Sequence, residues 1–333
     1  MTRRLAEVAR YVGVSEATVS RVLNGKPGIS DATRQAVLTA LDVLGYERPT
    51  KLRGERARLV GLVMPELQNP IFPAFAEVVA GALSRRGFTP VLCTRTVDGV
   101  SESDYVDMLL DQQVSGVIFS GGLYAQAAAD HEHYFRLRER GLPAVLVNAA
   151  IDDIGFPCVA TDDGHAVDQA HKHLASLGHE RIGMVIGPAD HVPSNRKLAA
   201  FAAAGGDAGL VERTIFSMEG GHAAANRVLG RGATGIICAS DVLALGAVRA
   251  ARRIGLSVPG DVSIVGFDDL EIIAEGLYPG LTTLALPHYE MGAWAVEQLY
   301  AQIDAPAGTT APVRTTQLRC PVVRRASVTS PPP

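Results

Sequence analysis

Along the first 45 residues, apolar side chains recur at three- and four-residue steps, the spacing of helices that each bury one face. Leu5, Val8 and Ala9 make the first stripe, and Gly13 follows it where a left-handed residue closes a helix. Ser15 stands where its hydroxyl can cap a second helix, whose buried face is Val19, Val22 and Leu23. The other face of that helix is Glu16, Ala17, Thr18, Ser20 and Arg21. After Ser30 and Asp31, the run from Thr33 to Gly45 predicts a third helix that closes a small core with Val37, Leu38, Leu41 and Leu44. Two short helices around one tight turn form a helix-turn-helix, and a face of short polar residues with one arginine suits the DNA major groove.

From Leu59 the period changes. Short continuous apolar runs at 59–64, 90–93, 116–119, 144–147, 182–186, 235–238 and 262–267 alternate with amphipathic segments at 75–83, 103–110, 166–177 and 242–254. That alternation predicts parallel sheets covered by helices on both faces. It falls into two blocks, so the fold class is α/β: a small all-α helix-turn-helix headpiece followed by two Rossmann-like lobes. The expected domains are 1–46 for the headpiece, 47–58 for a hinge and 59–330 for the two-lobed part. Lobe 1 is placed at about 59–158 plus 285–312 and lobe 2 at about 162–281 plus 315–330. The connector after Tyr46 is polar and basic and contains Pro49 and Gly54.

Charge sharpens this picture. Residues 1–60 hold 11 Lys/Arg against 6 Asp/Glu, whereas the chain as a whole carries a net charge of -4. The basic segment is therefore the one expected to touch polyphosphate. Cys93, Cys158, Cys238 and Cys320 stand far apart beside apolar runs, the pattern of buried reduced thiols in place of a disulfide framework or zinc site. The sequence shows neither a signal-peptide core nor a long apolar span, so a cytoplasmic protein without membrane insertion is expected.

Candidate catalytic chemistry is sparse. Gly230, Gly232 and Gly235 match a dinucleotide-binding spacing, but they follow a predicted helix and precede a predicted strand, the reverse of the order a phosphate cradle needs. That opposes an NAD-dependent enzyme, and no cofactor is expected. The pairs His131/His133 and His171/His173 have no third metal ligand at suitable spacing, so solvated or capping roles are expected. Adjacent acids at 152/153, 162/163 and 268/269 follow strands, and one of each pair is expected to cap a helix or face water. Asn148, Phe216, Ser240 and Asp268 come at or just after strand ends, where open parallel sheets bind ligands. Such residues converge on one crevice, and amide, aromatic, hydroxyl and carboxylate groups suit a sugar or other polyhydroxyl.

The run from Thr18 to Gly25, with Lys26 to Arg34 and Leu44 to Tyr46, resembles the DNA-binding headpiece of lactose-repressor-type (LacI/GalR) regulators, and the likeness continues to about residue 320. Further matching motifs are 178–183, 239–246, 258–269 and 281–292. The resemblance implies a ligand-responsive repressor with a periplasmic-binding-protein-like sensor, bound as a homodimer to a pseudo-palindromic double-stranded operator. It implies DNA contacts from Ser15, Glu16, Ala17, Thr18, Ser20, Arg21 and Asn24, with Leu52 as a minor-groove wedge. It also implies effector-lining positions at Ile71, Phe72, Asn148, Arg196, Lys197, Phe216, Ser240 and Asp268. The chain departs from the family pattern at Asn148 (usually Asp), Ser240 (usually Asn), Lys197 (usually Arg) and Ala200 (usually Gly), and its hinge lacks about one helical turn. Without the guanidinium fork at 197, bidentate recognition there is lost, and the neighbouring Arg196 is the alternative donor. A sugar-binding transport-type protein with the same lobes is the competing reading, opposed by the basic headpiece.

Overall fold

The structure, a computed structural model, describes residues 2–23, 26, 28–44, 58–95, 99–148, 151, 154–306 and 313–333. Two compact units make up the chain, one up to Leu59 and one from Val60. In the first, α1 (Thr2–Val12), α2 (Glu16–Leu23) and α3 (Asp31–Val43) enclose Val8, Val19, Val22, Val37 and Leu41, with Leu5, Leu23 and Leu44 packed at the edge. Gly13 has φ +75° and closes α1 by donating its N–H to Ala9. α3 begins two residues before the apolar run because Ser30 Oγ accepts the Thr33 N–H at 3.2 Å and sets the first turn there.

Strand β1 (Arg58–Met64) spans the boundary and leads the second unit, followed by α4 (Ile71–Ser84), β2 (Phe88–Thr94), α5 (Glu102–Asp111), β3 (Gly116–Ser120), α6 (Glu132–Glu139), β4 (Ala144–Val147) and β5 (Cys158–Thr161). Next come α7 (Asp163–Ser176), β6 (Ile182–Ile186), α8 (Val192–Ala203), β7 (Val211–Arg213), α9 (Met218–Gly230), β8 (Gly235–Cys238), α10 (Asp241–Arg253), β9 (Ser263–Asp268), α11 (Glu271–Ala274) and β10 (Thr282–Ala285). The chain finishes with α12 (His288–Ile303), β11 (Thr315–Leu318) and β12 (Val322–Val323). The first sheet runs β2-β1-β3-β4-β5-β11 and the second β7-β6-β8-β9-β10-β12. Strands β3, β4, β5, β6 and β8 are buried along their whole length, as strands covered on both faces must be.

One assignment from sequence is corrected. Residues 315–318, expected with the second lobe, form β11 and pair with β5 at the edge of the first sheet. A half-exposed edge strand of Thr315, Thr316, Gln317 and Leu318 carries no apolar run that could declare its sheet. The chain therefore crosses between lobes after β5, after β10 and after β11. Each crossing leaves at the carboxyl end of a parallel strand, so the carboxyl edges of both sheets are turned toward the interlobe region. The crossings are tied by Asp162 N–H to Leu318 O at 2.8 Å and Ala285 N–H to Pro321 O at 2.9 Å. All four cysteines are buried and unpaired, and among the described residues no helix is long and apolar enough to cross a membrane. Gly230 ends α9 and Gly235 opens β8, so that glycine motif indeed runs helix to strand.

Candidate functional site

On α2 the pattern of burial follows directly from helical spacing. Val19 and Val22 are fully buried, and Glu16, Ala17 and Arg21 are exposed on the other side. Ser15 Oγ accepts the Thr18 N–H at 3.1 Å and lies 2.9 Å from Thr18 Oγ1, so these two hydroxyls first serve the helix end. Ser20 is half-buried on the same helix. Glu16 in the first turn is favoured there by the partial positive charge of the helix N-terminus. Asn24 and Leu52 lie outside the described residues.

Between the lobes, Asn148 follows β4 and Asp268 ends β9, each being the fourth strand from the corresponding edge of its sheet. Both hold a left-handed backbone, φ +97° and +120°. For non-glycine residues this conformation costs about 1–3 kcal/mol each and persists only where its surroundings enforce it. The same strain thus recurs at matched points of the two lobes, on residues that sequence reasoning had placed at strand ends.

The second lobe carries buried charge at this edge. Lys197, 6% exposed, sits with Nζ 2.5 Å from Asp163 Oδ1 and 4.3 Å from the Phe267 ring centroid. Asp163, 3% exposed, also accepts the Thr161 hydroxyl at 2.8 Å. The ammonium is thereby paired within the second lobe. Asp241 is fully buried and accepts the Leu270 N–H at 2.8 Å and the Thr283 hydroxyl at 2.6 Å. Burial and the nearby Asp241 push the Asp268 carboxyl well above the usual carboxylate range, with Lys197 opposing them. Asp269 is paired with Arg325 at 2.7 Å, and Asp162 caps α7 by accepting the His165 N–H at 3.0 Å. In the pairs 162/163 and 268/269, Asp162 and Asp269 thus have the capping and pairing roles expected of one acid of each; Asp152 and Asp153 lie outside the described residues.

Arg196 on α8 is half-buried, and its Nη1 is buried with no hydrogen-bond partner among the described residues. It keeps the donors that Lys197 has lost to Asp163. The half-buried Phe216 ring meets the His191 ring edge-on, centroids 5.4 Å apart. His191 Nδ1 lies 2.8 Å from Ser194 Oγ; burial first, then Lys197, lower its pKa to about 4, so the ring is neutral at pH 7. Ser240 is buried and its Oγ caps α10 by accepting the Leu243 N–H at 3.2 Å. Ile71 packs into the apolar core of the second lobe, and Phe72 touches the cores of both. Asn148 is half-buried, with its N–H bonded to Val159 O at 2.7 Å.

Sequence reasoning missed Asp163, His191 and Asp241. Asp241 stands within the 239–246 motif and Asp163 within an acidic pair, but neither pattern states what the carboxylate accepts. His133 is corrected outright: it is 3% exposed and its Nε2 lies 3.2 Å from Glu102 Oε1, because α6 packs that face against α5.

Residues 4–49 match the model of bacterial regulatory proteins of the lacI family, and residues 171–328 match a periplasmic binding protein-like domain. The chain is 50% identical over 323 residues to the HTH-type transcriptional regulator reg1 of Streptomyces lividans, covering 94% of this chain and 92% of the relative. It is likewise 50% identical over 322 residues to the HTH-type transcriptional regulator MalR of Streptomyces coelicolor, with coverage of 94% and 92%. Among solved structures it is similar to a CelR–cellobiose complex, with TM-score 0.71 and 32% identity over 97% of this chain and 99% of the other. A lac repressor dimer bound to operator and the anti-inducer ONPF gives TM-score 0.73 and 26% identity, with coverage of 97% and 98%.

Proposed function

The chain belongs to the LacI family of bacterial regulatory proteins, and on that footing we propose that it is a repressor whose operator affinity is set by a neutral, glucose-based oligosaccharide held between the lobes. It is a ligand-responsive, DNA-binding transcriptional regulator of dimeric type, not an enzyme. The helix-turn-helix headpiece disfavours a transport-type reading. Work is divided along the chain, with 1–46 reading DNA, 47–58 as hinge and 59–330 sensing the effector, and a regulator that must meet DNA acts in the cytoplasm.

The observation that carries the effector site is the matched pair of strained residues, Asn148 and Asp268, at equivalent strand ends of the two lobes. A polyhydroxyl ligand needs a carboxyl group such as Asp268 to exchange hydrogen bonds with its hydroxyls, donors such as the Asn148 amide and Arg196, and aromatic faces such as Phe216 and Phe72 for its C–H surface. Neutrality is supported by the charges already satisfied within the protein, Lys197 by Asp163 and Asp269 by Arg325. A glucose-based ligand is supported by the cellobiose bound to CelR and by the name of MalR.

Thermal-shift titration with maltose, maltotriose, cellobiose and ribose tests this reading. A sugar at a hundred times its Kd stabilises by about 2.7 kcal/mol. Asp268→Asn should weaken the active sugar more than tenfold, about 1.4 kcal/mol, and leave sugar-free operator affinity unchanged. An unaltered sugar affinity in that variant would remove Asp268 from the site, and the absence of any shift would exclude this sugar class.

A further inference from the structure

Gln126 and Ala127, just after the single-turn helix at Leu123–Ala125, reach from the first lobe to the second. Gln126 forms an antiparallel bridge with His191, and the Ala127 N–H donates to Asp190 O at 2.8 Å. Both partners lie at carboxyl ends of strands, after β3 and after β6. The contact is therefore part of the rim of the crevice, beside the ring of His191 and its neighbour Phe216.

The segment 121–127 is held from beneath by groups outside the crevice. Glu102, 3% exposed at the start of α5, accepts the Leu123 N–H at 3.2 Å through Oε2 and the Tyr134 hydroxyl through Oε1. Tyr134 Oη in turn accepts the Tyr124 N–H at 2.9 Å. The Tyr124 hydroxyl accepts the Gly121 N–H at 2.6 Å and donates to the Val147 carbonyl, immediately before Asn148. His131 Nε2 lies 2.9 Å from Leu123 O and 3.0 Å from Gln126 O. Gly122 completes the fit: its φ is +153°, and a Cβ there would stand 2.7 Å from Glu102 Oε2. The carboxylate thus occupies the space that any other residue at 122 would fill.

A buried carboxylate is expensive unless its oxygens are used, and here every described use is directed at this loop or at the α6 side chains that support it. We propose that Glu102 is a positioning residue for the effector crevice: it fixes the 121–127 segment in the shape that lets Gln126 and Ala127 dock on Asp190 and His191 of the second lobe. Effector contacts on either lobe then depend on a carboxylate that touches no effector. The proposal rests on the crevice being the effector site, but its decisive test needs no effector.

Amide hydrogen exchange on the full chain without ligand reads the docking from both sides. In Glu102→Gln the side chain keeps its shape but only one oxygen remains an acceptor, so one of its partners is orphaned. Amides 123–127 should then exchange at least tenfold faster, and those of 189–192 on the second lobe should accelerate with them, while β6 and β8 stay protected. A merely local structural role would loosen the first set alone, and that result would overturn the proposal. Ala127→Pro, at an exposed position after a Gln126 that is already extended, as a residue before proline must be, deletes the donor to Asp190 and should loosen 189–192 without disturbing α5 or α6. Combining the two should loosen 189–192 no further than either alone; additive loosening, or slow exchange there in Ala127→Pro, would also overturn it. With cellobiose as the probe, both variants should bind more weakly than wild type. Asp268→Asn should lose cellobiose while keeping normal exchange at 189–192, so failure of the crevice reading and failure of the docking remain separable.

Discussion

The headpiece and the sensor solve the placement of polar chemistry in opposite ways. In the headpiece the enclosed side chains are Val8, Val19, Val22, Val37, Leu41 and their apolar neighbours, and Glu16 and Arg21 stand outside. In the sensor, Glu102, His133, Asp163, Lys197 and Asp241 are all enclosed. The difference follows from the size of the partner. A DNA duplex is a large polyanion that meets a surface, so reading groups can project from an apolar core at little cost. A small effector must be surrounded, and surrounding it takes polar groups out of water, where each must be paired or pay for its burial.

If that contrast is right, the largest single effect belongs to the enclosed pair. Lys197→Met should destabilise the sensor by about 3–5 kcal/mol because Asp163 is left buried without its cation. Urea unfolding measures it, and adding Asp163→Asn should recover a large part of the loss. A change below about 1 kcal/mol would mean that the pair is hydrated and that the two regions differ less than their burial indicates.

On the exposed side, Arg21→Ala should leave folding stability within about 0.5 kcal/mol, while costing about 1–3 kcal/mol of binding on the preferred operator and relaxing preference at one base pair per half-site. Retardation assays on selected and random DNA separate the outcomes. An equal loss on both would make Arg21 a phosphate contact. An unfolding penalty would break the contrast from the headpiece side.

A third test of the contrast concerns pH. Burial raises the Asp241 pKa from 3.8 to about 7. A carboxyl whose pKa is higher folded than unfolded contributes stability that is full below the unfolded value and lost as pH rises through the folded one. Wild-type stability should therefore fall, relative to Asp241→Asn, between about pH 4 and 7. His191, lowered to about 4, slopes the other way as pH falls below 6.5, so the difference between the two proteins in urea midpoint is the informative quantity. Parallel pH curves would show that Asp241 does not titrate in that window.

The same contrast explains what could be read from the chain alone. Headpiece helices were legible because their information is periodic and local: Ser15 caps a helix three residues on, and Val19 and Val22 repeat at its own pitch. Strands β4, β6 and β8 were legible to the residue, being apolar throughout. Strand β11 was not, since its place is set by pairing with Cys158–Thr161, more than 150 residues earlier in the chain. Asn148 and Asp268 could be located as strand ends, yet their backbone strain has no signature in residue type. Nor could Lys197 be known to lean on Asp163, or His133 on Glu102, because those pairs are separated by 34 and 31 residues and are brought together only by helix packing.

The threefold crossing between the lobes has a consequence for how the protein must be made. Neither lobe is a continuous stretch of chain: β11 completes the edge of the first sheet and β12 the edge of the second, and the two lie only a few residues apart. During synthesis, both sheets must wait with an open edge until residues 315–323 have emerged from the ribosome, to be closed by a parallel strand in the first and an antiparallel one in the second, and open edges are the ones exposed to wrong pairing. A message broken before that point would therefore yield two unfinished lobes, not one sound lobe and one defective one.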